Sequence, residues 1–111
     1  MIEINSYNEF LNIIHNNPDI YIFIDYWAPW CKPCIKLFPL IEKLEKNIKL
    51  KNLIFYKINI DENCECVDNC NINSIPRCSL YYNGVLLEFV SGSNIQNIGK
   101  LLNNNITNKV L

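Results

Sequence analysis

The chain carries almost no excess charge of either sign. Ten Lys and Arg residues stand against eleven Asp and Glu, for a net charge of −1. So weak a field gives no electrostatic case for binding nucleic acid or an anionic membrane surface. Long apolar runs are also missing, and the longest falls well short of the roughly 20 residues that a membrane-spanning helix needs. No basic N-terminal segment precedes an apolar stretch, so no signal peptide is expected. Three glycines and five prolines are too few and too scattered to form a linker. No internal repeat divides the sequence. These absences lead to the expectation of one domain over residues 1–111, built around one core.

Half of the residues are hydrophobic and 12% are aromatic, which is enough for the chain to fold unaided. Six cysteines are present. In a secreted protein they would suggest a disulfide framework. The missing signal and the sufficient core argue instead for a reducing compartment, the cytoplasm, with catalytic or free thiols.

Element signals run the length of the chain. Ser6 is placed to cap a first helix, with Glu9 three residues on as the partner of a capping box. Phe10, Leu11, Ile13 and Ile14 give that helix an apolar face, and Pro18-Asp19 is expected to end it. Ile20 to Tyr26 is β-branched and aromatic and reads as a buried strand. A helix is predicted from about Cys31 to Lys49, with Leu37, Ile41, Leu44 and Ile48 on one face and a kink at Pro39. Leu53 to Ile60 reads as a second buried strand. Asp61 to Asn73 is polar and cysteine-rich, with room for a short helix. Cys78 to Tyr82, Asn83-Gly84 and Val85 to Val90 spell a hairpin. Asn94 to Asn105 forms a closing helix with Ile95, Ile98, Leu101 and Leu102 inward. Strands alternating with helices, then a hairpin, predict an α/β fold with a mixed sheet and helices on both faces.

Chemistry concentrates at Trp30-Cys31-Lys32-Pro33-Cys34. Two thiols three residues apart, between a strand pattern and a helical one, form a redox arrangement. They can close a small disulfide ring and reopen it. At a helix N-terminus the unpaired N–H groups and the dipole favour an anion, so the first thiol ionises more readily. The thiolate is the form that attacks disulfides. A structural metal pair is the plain alternative, but zinc normally needs two further ligands and no second Cys-x-x-Cys follows.

The pattern resembles the thioredoxin family over almost the whole chain. Asp25-Tyr26-Trp27-Ala28-Pro29-Trp30-Cys31-Lys32-Pro33-Cys34 is similar to the family's active-site segment. Pro39 matches its helix-kinking proline, Lys57-Ile58-Asn59-Ile60-Asp61 its following strand, Ile75-Pro76 its cis-proline site, and Gly92 the glycine after its last strand. Cys64, Cys66, Cys70 and Cys78 are not part of the family pattern, and two further positions depart from it. Lys32 stands where glycine is usual, and Arg77 where threonine is usual. Both are expected to bring positive charge near the first thiol, stabilising the thiolate and making the disulfide more oxidising.

The resemblance implies a thioredoxin-like reductase of protein disulfides that needs no cofactor and works as a monomer in electron transport. A thioredoxin reductase is the candidate donor that recharges it. Cys31 would attack and Cys34 would resolve the mixed disulfide. Asp25 would exchange protons with Cys34, with Lys57 as its neighbour; otherwise Asp25 is a strand-end acid facing water and Lys57 a solvated strand lysine. Pro76 would be cis and would expose the backbone of Ile75 to substrate beside Cys31. Trp30 would present a substrate-facing surface, while Trp27 packs in the core. Gly92 either admits a substrate backbone or serves as a plain turn. Two other readings stay open: an oxidase or isomerase, and a binding module without turnover. Cys64, Cys66 and Cys70 are unpaired thiols, a second redox pair, or metal ligands together with Cys78 or His15. Cys78 also fits as core, and His15 as a surface residue.

Overall fold

The computed structural model describes residues 1–106, and residues 107–111 of the expected unit lie outside the described residues. Nine elements follow one another: β1 (Ile2–Glu3), α1 (Tyr7–His15), β2 (Tyr21–Trp27), α2 (Lys32–Asn47), β3 (Leu53–Asn59), α3 (Cys64–Asn69), β4 (Arg77–Tyr82), β5 (Val85–Ser91) and α4 (Ile95–Asn105). The strands form one mixed sheet in the order β1-β3-β2-β4-β5. β1, β3 and β2 run parallel, β4 is antiparallel to β2, and β5 is antiparallel to β4.

β2 is central, and every residue from Tyr21 to Tyr26 is buried. Its apolar run, interrupted only by Asp25, has a physical cause: helices cover both faces, so neither parity of side chain meets water. On one face Tyr21, Phe23, Phe55 and Leu80 meet Leu37 and Ile41 of α2 and Ile98, Leu101 and Leu102 of α4. On the other, Ile22, Ile24, Tyr26 and Ile58 meet Phe10, Ile13 and Ile14 of α1 and Cys66 of α3. Of the inward faces expected for the long helices, Leu37, Ile41, Ile48, Ile98, Leu101 and Leu102 are buried, and Leu44 and Ile95 pack half-buried against them. Pro39 lies inside α2, where its missing N–H leaves the Ile35 carbonyl without its helical partner.

Several boundaries differ from the sequence expectation. β1 has no counterpart in it: two residues pair with Tyr56 and Lys57 at the sheet edge, too few to show a period. α1 ends at His15, shortly before Pro18-Asp19, and the Asn16 N–H makes its last helical bond, to the Asn12 carbonyl. Ser6 Oγ accepts from the Glu9 N–H as expected, but the Glu9 carboxylate accepts from Asn5 N–H, one residue before the cap.

The hairpin turn places Asn83 at φ 51° and Gly84 at φ 81°, the left-handed pair that a two-residue loop of this kind demands. A Cβ on Gly84 would stand 2.7 Å from His15 Nδ1, so the turn is pressed against the end of α1. Gly84→Ala is expected to destabilise the protein by about 1–2 kcal/mol. Urea denaturation checks this, and an unchanged midpoint would show that the turn relaxes without strain.

Candidate active site

β2 delivers the chain to the start of α2 through Ala28-Pro29-Trp30. The Cys31 N–H donates to the Ala28 carbonyl at 3.0 Å, which folds this connection into a turn. Cys31 is then the N-cap of α2, and its Sγ accepts from the Cys34 N–H at 3.3 Å. A sulfur thus does what a Ser or Asp oxygen usually does at a helix start. The first turn of α2 holds no acidic residue. The helix dipole and the capping N–H therefore favour negative charge on Cys31, with no carboxylate in that turn to oppose it. Cys31 and Cys34 are joined in a disulfide with their Cα atoms 5.3 Å apart. Cys34 is fully enclosed and Cys31 only slightly open, with Ala28, Trp27, Ile60 and Ile75 packed around the pair.

A groove of about 360 Å³ lies beside the disulfide, lined by Trp30, Ile60, Ile72, Asn73, Ser74 and Ile75. Trp30 is 65% exposed, yet its indole is held: Nε1 donates to both oxygens of Asp61 at 3.1 Å. Asp61 is a site residue to which sequence reasoning gave no role, since nothing local in the sequence links positions 31 apart. The Ile75–Pro76 peptide is cis. The Pro76 carbonyl accepts from the Gly92 N–H at 2.9 Å, which ties the end of β5 to this loop. Gly92 has φ 95° and open space where a Cβ would stand, so its backbone conformation is what calls for glycine. Gly92 is not among the residues lining the groove.

Asp25 is fully buried on β2 and does not face water. Burial pushes its carboxyl up to about 7, opposed by a hydrogen bond from Cys78 and by the positive charge of Lys57. Lys57 sits across from Asp25 on β3, in a strand flanked on both sides rather than at a solvated edge. Its ammonium lies 5.4 Å from the Trp27 ring centre and 5.1 Å from that of Phe38, and 3.9 Å from Glu3 Oε1. Lys32 is exposed at the first position of α2.

Arg77 does not deliver charge to the thiols. It is opposite Tyr26 in register, whereas Cys78 is opposite Asp25, so Arg77 faces the layer away from α2. Its guanidinium stacks 3.7 Å from the Phe89 ring centre and donates to the Asn71 carbonyl at 3.2 Å. The second cysteine group is split. Cys64 is exposed, Cys66 is fully buried on the inner side of α3, and Cys70 is half-buried, with the Tyr81 hydroxyl 4.0 Å from its sulfur. Burial and the neighbouring Cys70 push the Cys66 thiol up to about 11, which suppresses its thiolate. Among the described residues, no three His, Cys, Asp or Glu side chains converge as metal ligands, and no helix is long and apolar enough to cross a membrane.

Comparison with known proteins agrees with this geometry. The sequence model of the Thioredoxin family matches residues 1–104. A thioredoxin from Ictalurus punctatus is 30% identical over 103 residues, spanning 93% of this chain and 96% of its own. A thioredoxin from Rickettsia bellii is 38% identical over 89 residues, spanning 79% of this chain and 84% of its own. The solved structure of Plasmodium falciparum thioredoxin superposes with a TM-score of 0.87 at 28% identity, covering 96% of this chain and all of that one. The chain belongs to the thioredoxin family. It is a thiol-disulfide oxidoreductase that reduces protein disulfides by dithiol-disulfide exchange through Cys31 and Cys34.

The buried carboxyl has a consequence for stability. Asp25 holds its proton in the folded state up to about pH 7, while an unfolded chain releases it near 3.8. Unfolding in that window therefore frees a proton, and stability falls as pH rises across it. Asp25→Asn carries no such penalty. Its advantage over the parent should grow between pH 4 and 7 and level off at no more than roughly 4 kcal/mol. Denaturation of the two oxidised proteins across this range checks it, and a constant difference would show that Asp25 ionises freely.

Proposed function

We propose that Cys31 is the attacking thiolate and Cys34 the resolving thiol of a protein-disulfide reductase. The reading rests above all on the place of Cys31, at the cap of α2 and bonded to Cys34, beside an apolar groove. Cys31 thiolate attacks one sulfur of the substrate disulfide. That disulfide breaks, and its other sulfur leaves and takes a proton. Cys34 then gives its proton to the Asp25 carboxylate and attacks the Cys31 sulfur. The second substrate thiol leaves, and two electrons have passed from the dithiol to the substrate. Lys57 stabilises the ionised form of Asp25. Trp30, Ile75, Pro76 and Gly92 form the surface on which the substrate segment lies, with Trp30 steadied by Asp61.

In this reading the whole chain is one thioredoxin unit acting as a monomer in electron transport, and a thioredoxin reductase restores its dithiol. The cytoplasm suits it, because Cys64, Cys66, Cys70 and Cys78 are free thiols. An oxidase or isomerase is the second reading, favoured by Lys32 and the acid-free first turn of α2. The reduction potential separates the two: a value near −270 mV, on the order of thioredoxin's, supports a reductase, and about −120 to −180 mV supports the second reading.

Cys31→Ser should abolish insulin reduction, and Cys34→Ser should accumulate mixed disulfides with substrate. Full activity in Cys31→Ser would sink the assignment of the nucleophile. Asp25→Asn should slow resolution more than attack in stopped-flow measurements, and equal rates would leave Asp25 structural.

The second cysteine group is dispensable for this reaction. Cys64→Ala, Cys66→Ala and Cys70→Ala together should leave insulin reduction close to the parent's. Alanine suits the test because a serine hydroxyl at Cys66 would be buried without a partner. A large loss of turnover in a folded variant would give the group a function.

A further inference from the structure

Cys78 occupies a fully buried position on β4, directly across from Asp25 on β2. Its neighbours on that face include Phe23, Leu80, Ile98 and Leu101, so an aliphatic side chain would suit the packing. The sulfur instead lies 3.7 Å from Asp25 Oδ1, within reach of a thiol hydrogen bond. The other carboxyl oxygen, Oδ2, is buried and has no hydrogen-bond partner. The surrounding titratable and charged groups are few. Lys57 flanks Asp25 on β3, with Glu3 of β1 behind it. α2 contributes the Cys31–Cys34 disulfide. α4 turns Ile98, Leu101 and Leu102 to this face, all apolar.

We propose that Cys78 is a positioning residue for disulfide exchange: its thiol donates to Asp25 Oδ1, fixes the carboxyl, and leaves Oδ2 as the oxygen that trades a proton with Cys34. The assignment rests on the proton-exchange role of Asp25 given above. Cys78 remains protonated throughout. Burial, then the adjacent Asp25 charge, raises its own thiol well above the ordinary cysteine value, which makes it a donor and a poor nucleophile. The proton that moves is the one between Cys34 and Oδ2. A donor on Oδ1 favours the ionised carboxylate, so its removal should raise the pH at which Asp25 titrates.

The test is a carbon-13 NMR titration of the Asp25 carboxyl in the oxidised parent, Cys78→Ala and Cys78→Ser. In Cys78→Ala the midpoint should rise by about half a pH unit or more, the size expected for a weak thiol donor. Cys78→Ser keeps a donor and should return most of the way. The pH profile of the resolving step should move with the titration, and the rates should converge at high pH, where Asp25 is ionised in every variant. The same midpoint in parent and Cys78→Ala overturns the proposal. If Cys78→Ala does not fold, the Raman S–H band of Cys78, identified by its loss in Cys78→Ser, gives the answer in the parent. It should shift as Asp25 is titrated, and a band that stays put overturns the proposal equally. A shifted titration together with normal resolution in Asp25→Asn would instead defeat the proton-exchange reading of Asp25, and the relevance of Cys78 to exchange with it.

Discussion

Apolar layers on both faces of β2 leave that strand no polar side on which to place a charge, yet Asp25 sits within it. The helices on the two faces need this strand buried, because Tyr21 and Phe23 on one parity meet α2 and α4, and Ile22 and Ile24 on the other meet α1 and α3. The carboxyl is carried inside by the same packing. Its affinity for a proton rises until it titrates near neutrality, where a group can both accept and release one. The fold and the chemistry thus share one cause. Whatever keeps β2 dry keeps Asp25 poised, and Lys57 and Cys78, one on each neighbouring strand, moderate the effect.

The groove beside the disulfide rests on a different balance. Ile60, Ile72 and Ile75 offer apolar surface, and Trp30 adds a large flat side chain at its rim. The hydrogen bonds from Nε1 to Asp61 restrain the indole, so a partner lying on it would cost it less conformational freedom. A mostly apolar surface selects weakly among side chains. That suits an enzyme whose reacting group, a disulfide, occurs in many protein contexts.

Features set by local sequence were legible before the structure. Ser6 caps its helix, Asn83-Gly84 turns the hairpin, and Cys31 and Cys34 stand at a helix start. Features set by register were not. Whether Arg77 or Cys78 faces α2 depends on the alignment of β4 with β2, and a slip of one residue would exchange them. Composition places a cation after Pro76 but cannot say that Phe89 and Asn71 receive it. The Asp25–Cys78 pair joins residues 53 apart, and nothing in either neighbourhood announces the other. The edge strand β1 escaped for the opposite reason, since two residues carry no pattern to read.

Both tryptophans of the chain lie at the reacting centre. Trp27 packs against the cystine, and Trp30 adjoins Cys31 in sequence. A disulfide accepts an electron from an excited indole and darkens it, whereas a pair of thiols does so far less. Emission from this protein therefore reports the oxidation state of its own sulfurs, with no distant tryptophan to dilute the signal. The molecule can be followed through its catalytic cycle by light alone, with no dye attached to any of its four spare cysteines.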